Sequence, residues 1–354
     1  MTGVFGHPWL GGLFAGAEAA AIWSPERQLA HMLGFEAAYT RALGAAGKIP
    51  EAQAERVAAA ILAFRPDFEE LRAGTARDGL PVPALVAQLR HALPGDAAAI
   101  HSGATSQDVI DTAAALTMQE FSIFLQARIG QLSGALSELS RRFGAVPMMG
   151  RTRMQAALPI TAADRLNAWS GPLDNHLRRL GELRPRVELL QLGGAAGDRA
   201  AMAPHAEAIA AGMARNLGLG NPPRAWHAAR DGVAEYAGLL SLITGTLGKM
   251  GQDICLMAQQ GVEEIALETG GGSSAMPHKQ NPVLAELLVS LARFNATQIA
   301  GMHQALVHEQ ERSGAAWNLE WMILPQMAQA TARSLSAAAG ICASISRIGA
   351  KAPS

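Results

Sequence analysis

A long heptad repeat between about residues 228 and 264 constrains the fold of this chain more than any other sequence feature. Apolar side chains recur every seven residues in two rows, which are Val233, Leu240, Leu247, Ile254 and Tyr236, Ile243, Met250, Met257. A 3.5-residue repeat over about four heptads is typical of a helix roughly 50 Å long that packs in a left-handed bundle. The pattern therefore predicts helix-on-helix packing.

The rest of the chain favours an all-α fold. Val, Ile, Tyr and Phe rarely alternate with polar residues over several positions, so strand signals are almost absent. Further long helices are predicted at about 106–142, 162–183, 282–311 and 319–346. Three glycines in the heptad helix lower its intrinsic propensity but permit a neighbouring helix to approach closely; they are Gly245, Gly248 and Gly251.

Prolines punctuate the first hundred residues, where the predicted helices are shorter. We predict an N-terminal helical domain at residues 1–100, a central helical bundle at 101–346 and a short tail at 347–354. The glycine-rich stretch from Leu189 to Gly197 is predicted to be a loop or a small hairpin.

Composition limits the classes of function. Of the 354 residues, 17% are charged and the net charge is −1, which argues against a nucleic-acid partner because phosphate binding requires a basic face. No apolar run reaches the ~18 residues that a membrane span needs. The apolar stretch from Pro8 to Ala17 has no Arg or Lys before it, so we predict a cytoplasmic protein rather than a secreted one. The cysteines and histidines lack metal-ligand spacing, so we expect no metal.

Two polar clusters each precede a predicted helix with a Thr-x-x-Asp capping box. The first is His-Ser-Gly-Ala-Thr-Ser-Gln-Asp at 101–108, which taken alone is a common helix cap. The second, Gly-Arg-Thr-Arg-Met-Gln at 150–155, is followed by Thr-x-x-Asp at 161–164. For this second cluster, a solvated loop and an anion contact remain open alternatives.

A third cluster, Gly-Gly-Gly-Ser-Ser-Ala-Met-Pro-His-Lys-Gln-Asn-Pro at 270–282, is the most informative. We predict Asn281 as a helix N-cap and Pro282 as the first helical residue. Lys279 then lies near a helix N-terminus, where backbone N–H groups and the helix dipole favour an anion. The glycines and serines upstream predict a loop that can close over a ligand. Such donors suit a carboxylate substrate and a proton transfer at carbon through an aci-carboxylate.

The three clusters resemble the signature regions of the fumarase/aspartase superfamily. Residues 272–282 resemble its Gly-Ser-Ser-x-Met-Pro-x-Lys-x-Asn-Pro signature, and the likeness extends over essentially the whole chain. The resemblance implies an all-α, long-helix bundle of the fumarase/aspartase type, with a small N-terminal helical domain and a truncated C-terminal region. It also implies a homotetramer in which each active site is assembled from three subunits.

Within the superfamily, the chain is similar to the bacterial 3-carboxy-cis,cis-muconate cycloisomerase family. The pointers are Gly-Ala-Thr-Ser-Gln-Asp-Val-Ile-Asp-Thr at 103–112, Leu-Gly-Gly-Ala-Ala-Gly at 192–197 and Glu-Arg-Ser-Gly-Ala-Ala-Trp-Asn-Leu-Glu-Trp at 311–321. The last resembles Glu-Arg-x-x-Gly-x-Trp-His-x-Glu-Trp, with Asn318 where that family usually has His. Such enzymes close the tricarboxylate 3-carboxy-cis,cis-muconate to 4-carboxymuconolactone in protocatechuate breakdown, without a cofactor.

Residue roles follow from the resemblance. It implies that Ser273 transfers the proton and that Lys279 assists catalysis as a carboxylate-binding cation. The substrate-binding residues indicated by the clusters and the resemblance are His101, Thr105, Ser106, Arg151, Thr152, Arg153, Gln155, Asn281, Arg312 and Trp317. Thr152 and Gln155 are expected to reach the site from a second subunit.

Arg153 departs from many superfamily lyases, which have His at this position. Arg stays protonated and is a poor acid or base at neutral pH, which weakens the case for amine-releasing lyases, whose leaving nitrogen needs a proton. Lactonisation tolerates Arg because the substrate's own carboxylate is the nucleophile. The alternatives are an adenylosuccinate lyase-like β-elimination enzyme and a non-catalytic helical scaffold.

Overall fold

The structure, a computed structural model, describes residues 3–268, 270–272, 276 and 280–349. This part of the chain confirms the predicted all-α class. The helices are α1 Gly11–Phe14, α2 Ala17–Ile22, α3 Pro25–Ala45, α4 Glu51–Ala63, α5 Phe68–Asp78, α6 Val82–Ala92, α7 Ser106–Phe143, α8 Ala162–Val187, α9 Ala206–Leu217, α10 Asp231–Met257, α11 Val283–Gln304 and α12 Gly314–Ser344.

Two short antiparallel strand pairs accompany the helices, although strand signals are almost absent from the sequence. They are the hairpin β1 Pro147–Thr152 with β2 Gln155–Thr161, and the pair β3 Ile265–Leu267 with β4 Ile345–Ile348. The hairpin is exposed along most of its length, so it lacks the one-sided alternation of a half-buried strand. The cluster at 150–155 forms the tip of this hairpin rather than a plain loop.

Five long helices, α7, α8, α10, α11 and α12, share one continuous apolar core. Contacts between helix ends show that neighbours run antiparallel. The indole N–H of Trp169, near the start of α8, donates to Asp253, near the end of α10, at 2.7 Å. Gly251, also near the end of α10, lies against Ala285 in the first turn of α11.

The heptad prediction is confirmed, because all eight residues of its two rows are buried. The boundaries are less accurate. Helix α10 is shorter than predicted and ends at Met257. Helix α12 begins earlier than predicted, because Oγ of Ser313 accepts a hydrogen bond from the N–H of Ala316 at 3.2 Å and so caps the helix.

Two of the three heptad glycines permit a close approach between α10 and α11. A Cβ on Gly248 would lie 2.4 Å from the Cβ of Ala292, and one on Gly251 would lie 2.5 Å from the carbonyl oxygen of Ala285. A Cβ on Gly245 would have no such neighbour within 4 Å. The close contact therefore requires glycine at two positions and not at the third.

A second apolar core lies beside the bundle and is built mainly from α3, α4, α5, α6 and α9. Its buried residues fall at 33–109 and at 190–214. The expected N-terminal domain therefore shares its core with α9, and the boundary at residue 100 stays a prediction. The stretch at 189–197 is a loop, as predicted, joined to Gly220 by a single bridge from Leu189.

The two ends of the bundle carry different polar segments. We call one the α7-start end, where the first two turns of α7 meet the starts of α10 and α12. We call the other the hairpin end, which holds β1–β2, β3–β4 and the start of α11. Helix α7 has 38 residues, so the ends lie about 57 Å apart at a rise of 1.5 Å per residue.

Candidate active site

The first turn of α7 is held by the predicted capping box, which extends into a larger cap. The N–H of Thr105 donates to Oδ2 of Asp108 at 3.0 Å. The same buried carboxylate accepts from the N–H groups of Gly193 (2.8 Å) and Gly194 (2.9 Å) and pairs with Nε2 of His227 at 2.8 Å. Asp108 therefore fixes the glycine-rich loop against the helix start.

A buried ion network lies one turn further along α7. The guanidinium of Arg230, 3% exposed, bonds both oxygens of Asp111 (2.7 and 3.1 Å) and both oxygens of Glu320 (2.8 and 2.5 Å). Burial lowers the pKa of Arg230, but the two carboxylates outweigh it and the net pKa is raised. Burial raises the pKa of Glu320, against the opposing effect of Arg230. Because every partner is satisfied, the network fixes α7, α10 and α12 relative to one another.

Two distant sequence segments meet at this network. Nε of Arg312 donates to Oε1 of Gln107 at 2.8 Å, and the indole N–H of Trp317 donates to Oδ1 of Asp111 at 3.0 Å. Nε2 of Gln107 in turn donates to Oδ2 of Asp111 at 3.0 Å. The structure thus places the predicted residues Arg312, which is exposed, and Trp317, which is buried, at the start of α7.

Thr105 and Ser106 occupy the N-cap and first helical positions of α7, and both are half-buried. The N-terminus of a helix combines free N–H groups with the positive end of the helix dipole. This turn is therefore suited to an anionic group of a ligand, and the substrate-binding roles of Thr105 and Ser106 stay predictions.

His101 lies just before the helix start in a conformation that non-glycine residues rarely adopt, with φ +58°. Its Nδ1 is 2.6 Å from Oε1 of Glu36, which is fully buried on α3. The hydroxyl of Tyr39 donates to the carbonyl oxygen of Ser102 at 2.5 Å. Burial raises the pKa of Tyr39, and the carboxylates of Asp108 and Glu36 raise it further. Helix α3 therefore anchors residues 101 and 102.

A cavity of about 310 Å³ opens beside the ion network, between α3, α7, α10 and α12. Its walls include four tryptophans, Trp23, Trp226, Trp317 and Trp321. The guanidinium carbon of Arg230 lies 4.8 Å from the ring centroid of Trp226. Asp111, Arg230 and Glu320 of the network also line the cavity, so the hydrogen bond from Trp317 to Asp111 lies in its wall.

The second predicted cluster lies at the hairpin end. Nη1 of Arg151 is 2.6 Å from each carboxylate oxygen of Glu264, so its charge is engaged within the chain. Thr152 and Gln155 pair across the turn, in which Arg153 has φ +49°. All four hairpin side chains are exposed. Within one chain they lie a bundle length away from the α7-start end.

The third cluster also lies at the hairpin end. Asn281 and Gly271 exchange two backbone hydrogen bonds of 2.9 Å, which join the two sides of the segment. A Cβ on Gly271 would lie 2.4 Å from Cγ2 of Val283, so this pairing requires glycine. The base of the glycine-serine segment is therefore fixed.

The predicted cap of α11 is wrong by one residue. Pro282 is the N-cap and Val283 the first helical residue, because the backbone of Asn281 is already used in the bridge. The two residues predicted to be catalytic, Ser273 and Lys279, lie outside the described residues.

Sequence analysis missed the residues that support the α7-start end. They are Glu36, Asp111, Arg230 and Glu320, and all are buried. For Glu36, Asp111 and Glu320, the signal that could have found them is a single charged residue inside an otherwise apolar helical face. Such a residue is almost never fully buried unless it is paired, and the partners of these four lie far away in the sequence.

Comparisons with known proteins agree with this architecture. The lyase family matches residues 16–301. The chain is 36% identical over 335 residues to a 3-carboxy-cis,cis-muconate cycloisomerase of Pseudomonas aeruginosa, covering 93% of this chain and 73% of the relative. It is 32% identical over 317 residues to an N-acetyl-S-(2-succino)cysteine lyase of Enterococcus italicus, covering 89% and 70%.

Among solved structures, the 3-carboxy-cis,cis-muconate lactonizing enzyme of Pseudomonas putida is similar, with a TM-score of 0.91 and 34% identity. The match covers 96% of this chain and 77% of that one. Fold and sequence therefore agree on the predicted bundle type. The chain belongs to the lyase family of the fumarase/aspartase superfamily.

Proposed function

We propose that this protein is a cycloisomerase that closes 3-carboxy-cis,cis-muconate to 4-carboxymuconolactone. One observation carries the proposal. The two segments that most resemble cycloisomerases, 103–112 and 311–321, meet in a single hydrogen-bonded unit, in which Arg312 and Trp317 bond to α7. The names of the similar proteins from two Pseudomonas species support the same reaction.

The proposed reaction adds a carboxylate oxygen of the substrate across a C=C bond and delivers a proton to the neighbouring carbon. Negative charge builds up on the adjacent carboxylate, as an aci-carboxylate, before the proton arrives. We assign Ser273 as the group that moves the proton and Lys279 as the cation that stabilises this charge. The positive end of α7, with Thr105 and Ser106, is assigned to another substrate carboxylate. No cofactor is needed, because the addition is internal and redox-neutral.

A third carboxylate requires a further cation. Arg312 is exposed beside the start of α7 and keeps one hydrogen bond to Gln107 and one to the carbonyl oxygen of Ala195. We assign Arg312 to this carboxylate. Arg153, at the tip of the hairpin, is the second candidate cation and would come from another copy of the chain.

The proposal requires a homo-oligomer. One chain cannot bring Gln155 to Thr105, because a bundle length separates them. Antiparallel packing of symmetric copies would set the hairpin end of one chain against the α7-start end of another. Helix α11 supports such association, since its apolar window has a mean hydropathy of 1.2 and is only 28% buried within one chain. A second copy would cover this face.

The same helix, α11, is the one among the described residues that is long and apolar enough to cross a membrane by length and composition alone. It also carries Glu286 and Arg293. We propose a cytoplasmic homotetramer that buries α11 against other copies rather than in lipid.

The direct test is a spectrophotometric assay. Purified protein with 3-carboxy-cis,cis-muconate and a chelator should lose the ultraviolet absorbance of the diene, and 4-carboxymuconolactone should accumulate. Adenylosuccinate and N-acetyl-S-(2-succino)cysteine serve as comparison substrates. Turnover of either of these, with none of the muconate, would replace the proposal with a β-elimination enzyme.

Neighbouring serines provide a matched pair of variants for the assay. Ser273→Ala should abolish most turnover, because the proton-transferring hydroxyl is gone, whereas Ser274→Ala should retain it. Unchanged turnover in Ser273→Ala would contradict the assigned role. No turnover of any substrate by the wild type would favour the non-catalytic scaffold.

A further inference from the structure

We propose that Glu36 is a positioning residue that holds His101 as a binding group for one substrate carboxylate. The inference rests on the proposed function and deepens it. It begins from the 2.6 Å contact between Oε1 of Glu36 and Nδ1 of His101. The side chain of Glu36 is fully buried, whereas that of His101 is 14% exposed. The pair therefore connects a buried anion to an accessible imidazole.

The contact determines which ring nitrogen faces outward. In the proposed pair Glu36 acts as a carboxylate, which can only accept hydrogen bonds, so Nδ1 of His101 is assigned the proton between them. Among the described residues, Nε2 of His101 has no hydrogen-bond partner, and it is not buried. Nε2 is therefore the atom that the pair presents to a ligand.

The backbone holds the ring in this position. His101 has φ +58°, a conformation that persists in non-glycine residues only where the surroundings enforce it. The carbonyl oxygen before it, of Ile100, accepts from Nη2 of Arg90 at 2.9 Å, and that after it, of Ser102, accepts from Tyr39. A strained residue whose backbone is fixed by hydrogen bonds on both sides is typical of functional sites.

The charge of the pair matches an anionic ligand. Oε2 of Glu36 is buried and has no partner among the described residues, so His101 is the one hydrogen-bond donor to this carboxylate side chain. A substrate carboxylate at Nε2 also needs an N–H there, which makes the ring an imidazolium between two carboxylates. In the proposed complex, the proton on Nε2 is taken up from the solvent.

The other titratable groups around the pair are already engaged. Tyr39, on the same helix as Glu36, donates to a backbone carbonyl. On α7, Asp108 accepts from two loop N–H groups and from His227. His227 forms a similar contact with the carboxylate of Asp108, at 2.8 Å, but its side chain is only 4% exposed. Of these two carboxylate–imidazole pairs, His101 is the one that a ligand can reach.

Kinetics of matched variants test the role. Glu36→Gln removes the charge and keeps the shape, so KM for the muconate should rise about tenfold while kcat changes much less, as expected for one weakened charge-assisted hydrogen bond. Glu36→Asp should recover part of the affinity. The control is Glu120→Gln, which alters another carboxylate between α3 and α7. Glu120 lies 3.6 Å from His31 and pairs with Arg27, and its variant should keep wild-type constants. Unchanged KM in Glu36→Gln would overturn the proposal.

A readout without turnover separates this inference from the proposed function. Nitrogen NMR of ¹⁵N-histidine protein, assigned with His101→Gln, should show Nδ1 protonated in the free protein and both nitrogens protonated after a tricarboxylate is added. Both features should be lost in Glu36→Gln.

If the wild type shows these shifts but does not convert the muconate, the proposed reaction fails and the pairing stands. If it converts the muconate while the shifts match those of Glu36→Gln, the pairing fails. Should Glu36→Gln not fold, Glu36→Asp and His101→Gln provide the same comparison.

Discussion

The two ends of the bundle differ in how far their polar side chains are buried and hydrogen-bonded within one chain. At the α7-start end, Asp108, Asp111 and Glu320 are buried, and each is bonded to a distant part of the same chain. At the hairpin end, residues 151–159 are exposed, and within this stretch Arg151 forms an ion pair, with Glu264. The first end is preformed, whereas the second presents its side chains outward. This difference is what the proposed sharing of each active site between copies of the chain requires.

The largest expected effect comes from breaking the preformed end. Arg230→Met leaves two buried carboxylates without their cation, so the free energy of unfolding should fall by about 3–5 kcal/mol. Arg141→Met is the matched control, because Arg141 pairs with Glu138 on an exposed surface and should change stability by less than about 0.5 kcal/mol. Urea unfolding measures both. Equal losses would show that the α7-start end is no more tightly built than the surface.

A smaller effect on stability should come from the close contact between α10 and α11, which lies between the two ends. Gly248→Ala forces a Cβ to within 2.4 Å of the Cβ of Ala292, which should cost about 1–3 kcal/mol through overpacking. Gly245→Ala, on the same helix with open space around it, should instead stabilise by up to about 1 kcal/mol. In urea unfolding, the two variants should change the free energy of unfolding in opposite directions. Changes in the same direction would contradict the close packing of α10 and α11.

The fold could be predicted well from sequence, because heptad spacing and capping boxes are local signals. Both Thr-x-x-Asp boxes and all eight heptad positions behave as predicted. The site was harder, because its supports are non-local: Glu36 is 65 residues from His101, and Arg312 is 205 residues from Gln107. Sequence resemblance placed Arg312 at the substrate, but no sequence pattern indicated which buried partner holds it.

A pH effect on stability should arise from the body of the bundle. Burial, with Arg179 nearby, lowers the pKa of His176 on α8 from its ordinary 6.5 to about 4. Because the folded pKa lies below the unfolded one, the stability from the neutral ring is complete above pH 6.5 and is lost as the pH falls toward 4. His176→Leu should flatten this decline in urea midpoints measured across that range. If the urea midpoint of His176→Leu declines as much as that of the wild type, other groups cause the loss of stability.

The smallest effect on stability is expected at the hairpin end. Gln155→Ala should change the free energy of unfolding by less than about 0.5 kcal/mol, because the side chain is exposed. Its kcat/KM for the muconate should nevertheless fall about tenfold, as expected if it contacts substrate across a subunit boundary. A kcat/KM equal to that of the wild type would show that Gln155, at the hairpin, does not contact the substrate.

Subunit mixing tests most directly whether each active site combines the α7-start end of one copy with the hairpin end of another. Ser106→Ala and Gln155→Ala proteins, each of low activity alone, are unfolded, mixed in equal amounts and refolded together. If sites are shared, random assembly leaves about a quarter of them with both residues intact, so activity should recover to about a quarter of the wild-type value. Activity no higher than the mean of the two variants would contradict shared sites.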